Sequence, residues 1–315
     1  MSLSRQKDIA LLLLRHGRGD LIEGSPLHEQ VRSQADGTVS DDGEGARRLA
    51  EDLESMGPTF VKLGQLLASR ADLLPSTYVA ELERLQDDVE PFDPAEARRI
   101  VEEDVGARVS TAFAEFEEEP ISAASLAQVH RARLRDGRRV VVKVQRPGIR
   151  ERIEEDLEAL ESLAGLVERH TDLGRRLAPT ETIEEFRQTI RRELDFRTEA
   201  RNLLRIGEIV DRYPRLLVPR PVLDYCGDRV LTMDYVAGTS VTRVSPAATL
   251  GGDRAGLAEQ LLRAYLDQIL VEGTFHADPH PGNVLLTHDG RLALIDLGMV
   301  QHLSLIHISE PTRPY

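Results

Sequence analysis

The sequence has little of several features that mark particular protein classes. A single cysteine, Cys226, occurs in 315 residues, which excludes a disulfide framework and fits a reducing cytosol. The net charge of −14 argues against a nucleic-acid surface, because such surfaces need a basic field. No stretch approaches the roughly 20 apolar residues of a membrane span, and no internal repeat is found. With 41% hydrophobic residues, the chain is expected to form one large or two modest globular domains.

Three polar side chains are spaced through the otherwise apolar stretch from His276 to Gly298. Asp278 is followed by Asn283 and then by Asp296, which sits in Asp-Leu-Gly. Apolar runs around a turn at Asp289-Gly290 predict a hairpin, whose open end would let Asn283 and Asp296 share one hard cation. This is the spacing of a protein-kinase catalytic loop and metal loop, in which Asp, Asn and Asp serve as base and two metal ligands.

Two other interpretations of this stretch stay open. Asp-Pro and Pro-Gly-Asn are ordinary turn signals. Alternatively, His276, Asp278 and His280 form a metal cluster, although Pro279 and Pro281 interrupt it. The kinase interpretation is favoured because further parts of a phosphate site lie upstream.

One of these parts is a lysine on a predicted central strand. Asp136-Gly137 predicts a hairpin between strands at residues 127–134 and 138–145. Lys143 is flanked by valines on the second strand, where its charge needs a partner. The loop before the hairpin occupies the position of a kinase's glycine-rich phosphate cover, with alanines in place of glycines. We therefore interpret Lys143 as a phosphate-contacting lysine.

The partner for this lysine is predicted on a helix that runs from Thr180 to about Val210. Asp195, Glu199 and Asn202 are spaced i, i+4 and i+7, so they share one helix face. A carboxylate on that face is placed to pair with the strand lysine, as in kinases.

Strands are also predicted at Val222-Leu223 and from Arg229 to Met233. The segment after the second strand suits a connector whose backbone hydrogen-bonds adenine, through Asp234 and Val236, with Met233 guarding the pocket. A further helix begins at Pro58, and Gly64 within it predicts close approach of another backbone, because a mid-helix glycine is otherwise costly.

Taken together, these motifs resemble one family, the UbiB/ADCK atypical kinase-like ATPases, over residues of about 45 to 302. Each motif is modest alone, but the ordered set is specific. The matching pieces are Lys62-Leu63-Gly64-Gln65, Ala123-Ala124-Ser125, Val142-Lys143-Val144, Glu193-x-Asp195 with Glu199 and Asn202, His276 to Asn283, and Asp296-Leu297-Gly298.

The resemblance implies an α+β, two-lobed protein-kinase-like fold with an N-terminal helical extension. It implies ATP or ADP and Mg²⁺ as cofactors, held in part by the alanine-rich loop of Ala123, Ala124 and Ser125, which is associated with altered nucleotide preference and suppressed protein phosphorylation. The roles implied for single residues are phosphate contact by Lys143 paired with Glu199, orientation of the nucleophile by Asp278, Mg²⁺ binding by Asn283 and Asp296, and a regulatory contact of Lys62, Gly64 and Gln65 with Glu193 and Asp195.

The same resemblance implies a role in ubiquinone or other isoprenoid-lipid metabolism. The expected partners are a nucleotide, such lipids and quinone-biosynthesis proteins, and not nucleic acid. We expect a cytoplasmic protein, with the full-length protein peripheral to, or anchored at, an inner membrane. The alternatives are a nucleotide-gated lipid- or protein-binding module without significant turnover, and a metal hydrolase built on the histidine cluster.

The expected domains are an N-terminal helix and linker (1–44), a helical extension (45–120), a kinase-like N-lobe (121–236) and the start of a C-lobe (237–302). Residues 303–315 resemble a translated transposase adapter, so we expect a non-native tail and a truncated C-terminal lobe. That truncation would leave the helix at 254–272 and the hairpin at 284–295 without partners, and would make the chain insoluble or partly unfolded.

Overall fold

The structure is a computed structural model that describes residues 3–16, 43–68, 74–85, 89–171, 179–244, 253–277 and 279–303. Helices and sheets are both present, as expected for an α+β fold. The described helices are α1 (Leu3–Arg15), α2 (Gly43–Met56), α3 (Pro58–Ala68), α4 (Ser76–Leu82), α5 (Pro94–Val105), α6 (Val109–Ala112), α7 (Ile149–His170), α8 (Pro179–Glu193), α9 (Phe196–Val210) and α10 (Arg254–Leu270).

The strands are short, and most of them lie in the second half of the chain. They are β1 (Phe113–Phe116), β2 (Ser122–Ala123), β3 (Ala127–Leu134), β4 (Arg139–Gln145), β5 (Leu216–Leu217), β6 (Val230–Asp234), β7 (Gly238–Ser240), β8 (Thr274–His276), β9 (Val284–Thr287), β10 (Leu292–Leu294) and β11 (Val300–His302).

The chain divides into two compact units. The first comprises residues 1–91, 123–127 and 146–191, and the second comprises residues 92–122, 128–145 and 192–315. The predicted domain boundaries are a finer division, which stays a prediction.

A buried carboxylate connects three helices of the first unit. Asp156 of α7 is 2% exposed and accepts hydrogen bonds from Arg5 of α1, at 3.2 Å from its Nη2, and from Thr59 of α3, at 2.6 Å from its Oγ1. The same guanidinium donates to Met56 O and lies over the Phe60 ring. Polar bonding and apolar packing therefore hold α1, α3 and α7 together.

The glycine of α3 is a close-packing position, but its neighbours differ from those predicted. A Cβ at Gly64 would lie 3.1 Å from Leu53 and 3.5 Å from Leu82, and closer still to Leu85. The expectation of an approaching backbone was therefore wrong, because leucine side chains fill the space.

The main sheet of the second unit has the order β1-β3-β4-β6, with β2 beside β3. The predicted hairpin of β3 and β4 is confirmed, and Gly137 adopts φ +89° at its turn. One face of the sheet buries Val140, Val142 and Val144 completely, against the residues of α5. Because side chains alternate along a strand, Lys143 is directed to the opposite face.

A second sheet has the order β5-β10-β9-β7. The predicted hairpin of β9 and β10 is confirmed. At its edges β5 pairs with β10 and β7 pairs with β9. The expectation that its apolar faces lack partners was wrong, because Val284, Leu292, Ala293 and Leu294 are buried. At the second of these edges a Cβ on Gly238 would lie 2.8 Å from Leu286 O, so only glycine fits there.

A two-stranded sheet of β8 and β11 follows α10. The predicted helix at residues 254–272 is confirmed over Arg254–Leu270, and it leaves Leu262, Leu266 and Leu270 at 62%, 45% and 76% exposure.

The prediction of a strand at Val222-Leu223 was wrong. A 3₁₀ helix forms there instead, and Cys226 donates its thiol to Val222 O.

The long helix predicted from residue 180 to 210 is broken in the structure. α8 ends at Glu193 and α9 begins at Phe196, with Asp195 as the N-cap that accepts from Thr198 N at 3.0 Å. Asp195 is therefore not on a shared helix face with Glu199, because its carboxylate turns back to cap its own helix.

Candidate functional site

Lys143 of β4 and Glu199 of α9 form a close ion pair within the second unit. The ammonium lies 3.1 Å from Oε1 and 2.9 Å from Oε2 of a carboxylate that is 2% exposed. The ammonium also lies 5.0 Å from the centroid of the Phe196 ring. A bidentate contact in a largely desolvated position fixes the lysine against the helix.

A third charged group, Asp296, lies beside this ion pair. Its Oδ2 lies 3.8 Å from the Lys143 ammonium, and its side chain is 44% exposed. Burial raises the pKa of Glu199 to about 7, opposed by the lysine and assisted by the Asp296 and Glu193 carboxylates. Burial lowers the pKa of Lys143, but Asp296 and Glu199 outweigh it and hold that pKa above its usual range. The lysine ammonium thus links the buried Glu199 carboxylate to the partly exposed Asp296 carboxylate.

The hairpin of β9 and β10 brings the two predicted metal ligands to one end. Leu294 pairs with Val284, and Ile295 N donates to Asn283 O at 3.0 Å. Asn283 therefore accepts a backbone hydrogen bond from the residue that directly precedes Asp296. Oxygen donors of an amide and a carboxylate suit Mg²⁺, which is a hard cation.

Hydrogen bonds within the loop that follows Asp296, and from this loop to other elements, define its conformation. Gly298 N donates to Asp296 Oδ1 at 3.1 Å. Asn202 Nδ2 donates to Leu297 O at 2.9 Å. Met299 O accepts from Ala277 N at 2.8 Å.

The predicted catalytic aspartate, Asp278, lies outside the described residues. The strand before it is held firmly, since His276 N donates to Gln268 Oε1 and His276 O accepts from the Tyr265 hydroxyl, each at 3.1 Å. His276 Nδ1 lies 3.1 Å from Met299 O, and His280 Nδ1 accepts from Gly282 N. These contacts favour a positioning role for the two histidines over metal ligation, and within the described residues no group of three His, Cys, Asp or Glu side chains could hold a metal.

The predicted adenine connector follows β6. Met233 pairs with Val141 and is 7% exposed, on the same sheet face as Lys143. Asp234 N donates to Arg220 O and Tyr235 N to Arg139 O. These two N–H groups are already used, and the contact of the connector with a base through Val236 stays a prediction.

The alanine-rich loop belongs to the first unit and is held through its carbonyls. Ala123 O accepts from Val89 N at 3.2 Å, and Ala124 O accepts from Arg146 Nε at 2.8 Å. Ser125 is 1% exposed, and its hydroxyl has no hydrogen-bond partner in the part of the chain that the structure describes.

The predicted regulatory residues are split between the units. Lys62 and Gln65 lie on α3 in the first unit, where Gln65 Nε2 donates to Leu85 O at 3.3 Å. Glu193 and Asp195 lie in the second unit, at the end of α8 and the start of α9. Their mutual contact stays a prediction.

Residues that support the site went unassigned in the sequence. Gln145 is 1% exposed and donates to Leu194 O at 3.1 Å, at the break between α8 and α9. Its signal was its place two residues after Lys143, on the same strand face. Gln268 and Tyr265 gave only a helical spacing, which does not distinguish a polar anchor from a solvated face.

None of the described helices combines the length and the apolar character needed to cross a membrane.

Comparisons with known proteins relate the chain to kinase-like proteins. A family model described as the ABC1 atypical kinase-like domain matches residues 84–310. A Cellvibrio japonicus protein named "Probable protein kinase UbiB" is 44% identical over 247 residues, which are 78% of this chain and 44% of that protein. An Arabidopsis thaliana protein named "Protein ACTIVITY OF BC1 COMPLEX KINASE 7, chloroplastic" is 41% identical over 257 residues, which are 82% of this chain and 37% of that protein.

A solved structure is similar as well. It is titled the complex structure of Rv3197-erythromycin from Mycobacterium tuberculosis, and it matches with a TM-score of 0.53 and 27% identity over 76% of this chain and 59% of that one. The chain spans less than half the length of the two curated relatives.

Proposed function

The chain belongs to the ABC1 atypical kinase-like family, and from this premise we propose that it forms the nucleotide site of an ATP-binding, Mg²⁺-dependent kinase or ATPase. The observation that carries the proposal is the cluster of Lys143, Glu199 and Asp296. It combines a lysine for phosphate oxygens, a buried carboxylate that fixes the lysine, and an exposed carboxylate for a metal.

The donor set fits the proposed cofactors. Asn283 and Asp296 offer oxygen ligands at one end of a hairpin, and amide and carboxylate oxygens suit a hard divalent cation. When bound, Mg²⁺ supplies positive charge to the phosphate groups. The connector would hold the base through the Asp234 carbonyl and the Val236 N–H, beside the Met233 side chain.

Each residue of the proposed site then has a defined role. Lys143 binds and positions the phosphate oxygens, and Glu199 holds the lysine side chain in the orientation that reaches them. Asp278 orients the attacking hydroxyl or water and accepts its proton. Catalysis by such a site rests on positioning and charge stabilisation rather than on covalent chemistry.

We propose further that the activity serves ubiquinone or related isoprenoid-lipid metabolism. The support is the motif order and the similarity to a protein named for UbiB.

The alanine-rich loop favours a second function, a nucleotide-gated binding module, because alanines stand where a flexible phosphate cover would need glycines. An Asp278→Asn variant separates the two: activity lost with nucleotide binding kept supports chemistry.

The proposed site is tested by thermal shift of the purified protein with ADP, with and without Mg²⁺. We expect a rise in Tm that needs Mg²⁺ and disappears in Asp296→Asn, because the amide loses the charge that holds the metal. A matched Asp289→Asn variant, in the turn of the same hairpin, should retain the rise. A wild-type protein that gives no Mg²⁺-dependent shift would refute the nucleotide site.

A further inference from the structure

Asn202 makes a specific side-chain contact with the loop of the metal ligand. Its Nδ2 donates to the Leu297 carbonyl at 2.9 Å, between residues 95 positions apart in the chain. Leu297 directly follows Asp296, and its side chain is 0% exposed. The Leu297–Gly298 peptide therefore accepts from Asn202 at its carbonyl and donates its N–H to Asp296 Oδ1 at 3.1 Å, so one peptide connects Asn202 to the Asp296 carboxylate.

Besides this hydrogen bond, two bonds between backbone groups define the path of residues 295–299. Ile295 N donates to Asn283 O at 3.0 Å, and Met299 O accepts from Ala277 N at 2.8 Å. Those two bonds join backbone groups, so most residue types could supply them. The middle bond, from Asn202, depends on the identity of a side chain.

The same helix holds the catalytic lysine. Glu199 and Asn202 are three residues apart on α9, so they lie about 4.5 Å apart along its axis and on neighbouring parts of its surface. Glu199 contacts Lys143, and Asn202 contacts the residue after Asp296. One rigid helix thus connects the phosphate-binding lysine to the metal-binding loop.

We propose that Asn202 is a positioning residue that orients the Asp296 carboxylate for the metal, an inference that rests on the proposed function. Without a donor at this position the Leu297 carbonyl loses its partner, and the Leu297–Gly298 peptide, whose N–H donates to Asp296 Oδ1, is free to rotate. The carboxylate then adopts orientations in which it no longer shares a cation with Asn283. Partners that orient metal ligands in this way are typically worth about 10- to 100-fold in metal affinity.

The test measures Mg²⁺ binding separately from nucleotide binding. Calorimetry with ADP in excess EDTA gives the metal-free affinity, and a Mg²⁺ titration at saturating ADP gives the concentration for half-saturation. Asn202→Ala removes the amide, and Asn202→Leu removes it while keeping the number and branching of the side-chain heavy atoms and adding no charge. The matched control is Arg205→Ala, at an exposed position of the same helix.

We expect both Asn202 variants to raise the Mg²⁺ half-saturation concentration at least about tenfold, with metal-free ADP affinity and Arg205→Ala unchanged. If Asn202→Ala does not fold, the Mg²⁺ half-saturation concentration of Asn202→Leu provides the test. Folded variants with wild-type Mg²⁺ half-saturation overturn the inference while leaving the proposed function in place, and so does an equal loss of both affinities. A wild-type protein that binds no ADP removes the proposed function itself and the inference with it.

Discussion

Asp156 in the first unit and Glu199 in the second are both helical carboxylates with 2% exposure, yet their surroundings differ. Asp156 meets a guanidinium and a hydroxyl, so its charge is balanced by donors. Glu199 meets one ammonium, which also lies 3.8 Å from the partly exposed Asp296 carboxylate. A buried carboxylate surrounded by donors serves packing, whereas an ion pair beside a partly exposed carboxylate offers oxygen atoms to a cation. The difference separates a structural cluster from a candidate site without reference to any motif.

The largest expected effect breaks the balanced cluster. Asp156→Ala leaves Arg5 and Thr59 without their acceptor, and removal of one partner from a buried pair costs about 3 kcal/mol or more of the free energy of unfolding. Urea unfolding of the variant measures this loss. Glu158→Ala, at an exposed position of the same helix, is the control and should change stability by less than about 0.5 kcal/mol. A loss below about 1 kcal/mol in Asp156→Ala would contradict the comparison.

A second, pH-dependent effect concerns the cluster of Lys143, Glu199 and Asp296. Because the pKa of Glu199 is raised in the folded state, folding favours its protonated form, and its contribution to stability is present at low pH and lost as pH rises from about 4.5 to about 7. Glu199→Gln cannot titrate there. The stability of the wild type relative to Glu199→Gln should therefore decline across this window and then level off. Urea unfolding at a series of pH values measures the difference, and a difference that grows with pH would reverse our assignment.

The smallest expected effect lies on the other face of the same sheet. Thr232 is fully buried, it pairs with Val142, and its hydroxyl has no hydrogen-bond partner among the described residues. Thr232→Val removes this unsatisfied group at nearly constant shape, and we expect a gain of about 1 kcal/mol in unfolding free energy. The Tm shift with ADP and Mg²⁺ should stay at the wild-type value. A loss of stability would contradict this prediction, because it would mean that the Thr232 hydroxyl forms a hydrogen bond in the folded protein.

Much of the second unit was predictable because its signals are local. The Asp136-Gly137 and Asp289-Gly290 turns and the alternation of valines around Lys143 define two hairpins from short-range preferences alone. The kinase-like fold class followed from the motif order and is supported by the family match.

The break between α8 and α9 could not be predicted in the same way. Apolar periodicity continues across Leu194, so the pattern fits one helix as well as two. Gln145 decides between them, because its amide takes the Leu194 carbonyl and frees Asp195 to cap the second helix. The partners of Gly64 were equally hidden, since a glycine signals close approach but not what approaches.

The sequence by itself determined which chemical groups are present and their order: a lysine on a valine-rich strand, carboxylates beyond it, and Asn283 and Asp296 at the ends of a hairpin. Residue spacing left both Asp195 and Glu199 open as partners of Lys143, and the family resemblance implied Glu199. The tertiary structure shows Glu199 against Lys143 and Asp195 capping its own helix, and it alone showed that Asn202 holds the Leu297 carbonyl. The reason is that turns and strands follow from preferences between near neighbours. The pairing of charges 56 residues apart depends on where a helix is interrupted and how it then packs.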